Sequence, residues 1–78
     1  METKEKKNVR GKLFIMEYNQ LKSRYDNLRQ ILIDFDARKS GIKLNAPVRI
    51  LRKQEKAMAE YLYCLEVRAA AEGIELIK

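Results

Sequence analysis

Hydrophobic positions recur at helical spacing over two long stretches of the chain. In the first, Phe14, Tyr18, Leu21, Tyr25, Leu28, Leu32 and Phe35 follow one another at steps of 4, 3, 4, 3, 4 and 3. That alternation is a heptad seam, an apolar stripe down one side of a helix. The pattern predicts a helix over about residues 12–38. The tyrosines belong to the seam, with their hydroxyls reaching its edge. Ile15, Met16, Ile31 and Ile33 fall outside it and widen the apolar surface.

The second stretch, NAPVRILRKQEKAMAEYLYCLEVRAAAEG, reads as a helix over about 46–72. Asn45 is placed to cap its free amides, and Pro47 suits the first turn, where a missing N–H costs nothing. Gly73 can take the left-handed conformation that ends a helix, with Ile74 packing back. Its predicted seam is Leu51, Gln54, Met58, Tyr61, Leu65 and Arg68, broadened by Val48, Leu62 and Ala69. A second strip, Ile50, Ala57, Cys64 and Ala71, runs beside it at seven-residue spacing. Between the helices, Lys39 to Leu44 contains the turn signal Ser40-Gly41. So short a connection predicts an all-α, antiparallel two-helix hairpin. Each arm of about 27 residues is then near 40 Å long.

A hairpin of this kind has no true interior. Ile31 on the first helix and the Ile50, Ala57, Cys64 and Ala71 strip on the second stay uncovered after the helices pack together. The surplus predicts self-association into a dimer, or a larger helical bundle or ring. Residues 1–11 carry no apolar period and read as a flexible basic arm before a hairpin domain over 12–78.

Composition narrows the chemistry. The chain has 78 residues, one cysteine and no histidine. An internal disulfide, zinc-finger ligand spacing and a histidine general base are excluded. Cys64 reads as a small buried hydrophobe, with no histidine to activate it. No glycine-rich phosphate loop appears, and Asp34 and Asp36 are two apart, so a helix points them to different sides. The expectation is a protein that is not an enzyme and holds no cofactor or metal. No apolar run reaches the ~20 residues of a membrane span, and no secretory signal is visible. A cytoplasmic protein is expected.

Charge points toward anions. Lys and Arg total 17 against 11 acids, a formal net charge of +6. Arg49, Arg52, Lys53 and Lys56 crowd the first half of the second helix, where the macrodipole already favours anions. Basic side chains there are the wrong sign for helix stability. One reading is a solvated face; the other is an anion site. In the second, Arg52 and Arg68 grip phosphate in bidentate fashion and Tyr25 or Tyr61 stacks on a base. Without a helix-turn-helix, ribbon or zinc motif, nucleic acid is not the expected partner.

The second helix resembles that of a group of very short phage helical-hairpin proteins known from crAss-like and other phages. The shared residues are Leu51, Gln54, Ala57-Met58, Tyr61, Leu65 and Arg68. The first helix matches in style, as a leucine and aromatic seam rich in Lys and Glu, so the resemblance covers about residues 12–76. The acidic link usual in that group is basic here, KSGIKLNAPVR. Small oligomeric phage hairpins of similar build include anti-CBASS and anti-Thoeris sponges, which hold cyclic or ADP-ribose-type immune nucleotides between subunits. The resemblance therefore implies an anti-defence protein that withholds a nucleotide signal. The alternative is a protein-binding adaptor or inhibitor that uses its apolar flank on a host or phage protein.

Overall fold

A computed structural model describes the backbone of residues 4–76 and the side chains from Gly11 onward. Two helices make up the fold: α1, Lys4–Asp36, and α2, Val48–Glu72. They pack against each other as an all-α hairpin, an elongated body of 56 × 19 × 18 Å.

α1 begins at Lys4 rather than near residue 12, so the expected boundary after residue 11 is no break in the helix. Lys and Glu are good helix formers, and one glycine at position 11 costs a continuing helix only ~1 kcal/mol. The start of the expected arm, Met1–Thr3, lies outside the described residues.

The connection is longer than the pattern predicts, because α1 stops at Asp36 and α2 starts at Val48. Arg38 ends α1 in the left-handed conformation, with φ of 59°. The Arg38 amide donates to the Phe35 carbonyl (3.0 Å) and the Lys39 amide to the Asp34 carbonyl (3.1 Å). These are the two bonds of a Schellman cap, built here on an arginine where glycine is usual. Pro47 holds φ of −56° and ψ of 138°, which is extended, so the helix begins only after it. Its carbonyl accepts from the Ile50 and Leu51 amides at 3.0 and 3.2 Å. Asn45 therefore lies too far upstream to cap, and α2 has no side-chain cap. Gly73 closes the other end as the sequence predicts: φ is 70°, and the Ile74 amide donates to the Ala69 carbonyl at 2.8 Å.

The core is one seam. Phe14, Tyr18, Leu62, Leu65 and Ala69 form its most buried cluster, with Leu21, Tyr25, Ile74 and Leu76 packed around them. Leu28 and Leu32 continue it toward the turn. Thus α1 follows the predicted seam, except that Phe35 at its end is exposed. α2 does not. Its inward stripe is Val48, Leu51, Glu55, Met58, Leu62, Leu65 and Ala69. Gln54, Tyr61 and Arg68 lie outside, exposed on one flank. The two stripes share Leu51, Met58 and Leu65, and burial of the alternates decides between them. Covering Leu62 and Ala69 removes apolar surface from water, whereas covering Gln54 and Arg68 desolvates polar groups.

One polar contact crosses the core. Tyr18 is 1% exposed, and its hydroxyl donates to Glu66 Oε2 at 2.7 Å. Burial, and then the nearby Glu66 carboxylate, push the phenol up to about 12 from 10.0.

Two tests follow from this geometry. Arg38→Gly relieves the left-handed strain, and chemical denaturation should show a gain of about 1 kcal/mol. The raised Tyr18 value means that folding favours the neutral phenol. Its contribution is intact below pH 10.0 and is lost as pH rises toward about 12. Denaturation across that range should show a loss of up to about 2 kcal/mol that Tyr18→Phe abolishes. At neutral pH the same substitution should cost about 1 kcal/mol through the lost hydrogen bond.

Candidate functional site

The basic half of α2 lies against the last turns of α1, near the connection. A cleft of about 520 Å³ opens there between the helices. Tyr25, Arg29, Leu32, Ile33 and Asp36 line it from α1; Arg52, Glu55, Lys56 and Ala59 line it from α2. Helical spacing explains the assembly. Tyr25, Arg29 and Ile33 are four apart on α1, and Arg52, Lys56 and Ala59 follow at four and three on α2, so each set forms one edge. Leu32, 2% exposed, forms part of the floor.

Three cations, Arg29, Arg52 and Lys56, face two acids, Asp36 and Glu55. Arg52 and Asp36 make a bidentate pair: Nη1 to Oδ2 is 3.1 Å and Nη2 to Oδ1 is 2.5 Å. The Arg52 hydrogen bonds hold the Asp36 carboxyl below its ordinary range and raise the guanidinium in turn. Both side chains stay open to solvent, at 47% exposed for Arg52 and 55% for Asp36. Tyr25 is half-buried, with Lys22 Nζ 5.9 Å from its ring centroid. This edge thus offers an aromatic face, two guanidinium forks and an ammonium. Groups of these types are able to hold phosphate oxygens and to stack on a planar ring.

The sequence-derived site residues separate into three groups. Tyr25, Arg52 and Lys56 meet in the cleft. Arg49 and Lys53 are exposed and are not among its lining residues. Tyr61 and Arg68 belong to the far end of the hairpin. Tyr61, 45% exposed, donates its hydroxyl to Glu17, and that bond is the main cause of its raised pKa. Arg68 sits over the Phe14 ring at 5.1 Å and donates from Nε to Glu72 at 3.3 Å. From Arg52 to Arg68 is about 24 Å along the helix, too far to grip one small ligand within one chain. Arg29, Asp36 and Glu55 are the charged lining residues that sequence reasoning missed. The signal for Arg29 was its place four residues after Tyr25, which puts both on one face.

A second cleft, about 640 Å³, is lined by Tyr18, Asn19, Lys22, Ser23, Asp26, Asn27 and Glu66. One cation against two acids makes it the wrong sign for an anion. The predicted interface strip is exposed: Ile31 and Ile50 at 44% and 43%, with Ala57, Cys64 and Ala71 also open. Cys64 is thus not the buried hydrophobe expected of it, because the seam passes through Leu62 and Leu65 on either side. Among the described residues no group of three or more His, Cys, Asp or Glu could hold a metal ion. No helix among them is long and apolar enough to cross a membrane.

Fold and cleft together define a small helical-hairpin protein with an open cleft that sets two arginines and a lysine against two acids beside a tyrosine. A family model described as Sequestin matches residues 10–71, and the chain belongs to the Sequestin family. Neither the curated proteins nor the solved structures include a match to it.

Proposed function

We propose that the chain self-associates and withholds a small anionic nucleotide, of the cyclic or ADP-ribose type, without converting it. It would act as a phage anti-defence protein in the host cytoplasm. The observation that carries this reading is the convergence of Tyr25, Arg29, Arg52 and Lys56 on one open cleft. Arginine forks hold phosphates, and the tyrosine supplies a stacking face for a base. The family name, Sequestin, fits holding a ligand back rather than transforming it. Self-association is supported by the exposed strip on α2 and by Ile31. A second copy covering these side chains would remove apolar area from water.

The same strip favours a second reading, an adaptor or inhibitor that grips another protein through this flank. Native mass spectrometry separates the two. A nucleotide-withholding protein gives a closed oligomer that retains phosphate-bearing ligand. An adaptor gives a monomer or a spread of sizes.

Two variants test the site directly in a nucleotide-binding titration. Arg52→Glu should weaken binding at least about tenfold, with helicity and oligomer mass unchanged. Arg68→Gln, about 24 Å away along α2, should leave affinity within about twofold. Undiminished binding in Arg52→Glu removes the cleft as the site. For assembly, Cys64 reports whether the strip is covered. A thiol reagent should label it slowly in the oligomer and fast once dilution or denaturant separates the chains.

A further inference from the structure

Asp36 is misplaced for its own helix: it is the last residue of α1, where the macrodipole disfavours a negative charge. Arg52 begins the second turn of α2, whose first turn holds no acid. Across the hairpin Arg52 neutralises Asp36 through the bidentate pair at 3.1 and 2.5 Å. A guanidinium fork holds a carboxylate with the same two parallel N–H bonds it offers to a phosphate. The Arg52 fork is therefore already occupied, by a carboxylate from the chain itself. Both partners are about half exposed, so solvent and solutes reach the pair, and an exposed pair is readily exchanged.

We infer that Asp36 is a specificity-determining placeholder, whose carboxylate occupies the phosphate seat on Arg52 until a more highly charged phosphate displaces it. The inference rests on the anion-site reading of the cleft and names what that site selects. A ligand must out-compete an intramolecular carboxylate held by two hydrogen bonds. A terminal phosphate does so with two charges on one phosphorus, and a pyrophosphate, including that of ADP-ribose, with charges on two adjacent phosphorus atoms. A simple carboxylate or chloride offers no advantage over Asp36 and is refused. Glu55 lines the same cleft with the same charge. It acts on Arg52 through its field, without the hydrogen bonds that Asp36 makes. Contact and field can therefore be told apart by experiment.

The test is calorimetric titration of inorganic pyrophosphate and ADP-ribose at fixed ionic strength into the full chain. The variants are Asp36→Asn, Glu55→Gln, Arg52→Gln and the double variant Asp36→Asn with Arg52→Gln. Asp36→Ser serves as a second probe of position 36, and circular dichroism confirms that each variant is folded. Expected is a three- to fivefold gain in affinity in Asp36→Asn, roughly the strength of an exposed ion pair. Glu55→Gln should gain less than half of that, and the gain should vanish in the double variant. Equal gains at positions 36 and 55 would reduce Asp36 to a background charge and overturn the placeholder. So would unchanged affinity in both position-36 variants while the wild type binds and Arg52→Gln does not. The cleft would then stand as the site without its placeholder. Absence of binding by every protein, the wild type included, would overturn the anion-site reading itself.

Discussion

Two helices lying side by side share a single line of contact, and each can hide only one stripe of its surface. Here that line is drawn by Tyr18, Leu62, Leu65 and Ala69, which are almost fully removed from water. Ala69 is small enough to let the backbones approach, and Tyr18 fills the space with a ring whose hydroxyl ends on Glu66. The tyrosine is a demanding core residue, since a buried hydroxyl needs a partner. Glu66 supplies it from the edge of α2, half-buried, where the carboxylate keeps contact with solvent. The hairpin's alignment is thus set by apolar packing and by polar contacts between the helices, Tyr18 to Glu66, Tyr61 to Glu17 and Arg52 to Asp36, that a shift of register would break.

Everything off that line is left on the surface, and the surface divides by chemistry. Toward the connection, Arg29, Arg52 and Lys56 gather around Tyr25. Toward the other end, the charges are already satisfied: Arg68 lies over Phe14 and against Glu72, and Tyr61 bonds to Glu17. Among the described residues no element covers the flank with Ile50, Ala57, Cys64 and Ala71, which stays exposed. A chain this small cannot bury a second apolar stripe alone, because burial scales with size. The cleft and the uncovered apolar strip then occupy different sides of the same two helices.

How much of this was legible beforehand depends on the kind of signal. The seam of α1 was readable because seven apolar positions leave one solution for the helix face. The seam of α2 was not, because two interleaved stripes share Leu51, Met58 and Leu65. Only the partner helix selects between Tyr61 and Leu62, or between Arg68 and Ala69. Residue type alone singles out Tyr25, Arg52 and Lys56, as an aromatic and two cations, but only the packed hairpin shows that they line one cleft. Arg29 was passed over because α1 was read for its apolar face, and Asp36 because its partner lies sixteen positions away.

Local rules therefore settled the two helices, the left-handed stop at Gly73, the seam of α1 and the excess of positive charge. They act over a few residues, through backbone conformation and side-chain spacing, and need no partner to be read. The tertiary structure alone decided where α2 begins, which of its faces turns inward, and which cations share a cleft. Pro47 delays the helix start through its own extended backbone, and Arg38 ends α1 in a conformation that its side chain does not favour. The grip of Asp36 on Arg52 exists only once the chain has doubled back, since it joins the end of one helix to the opening turns of the other.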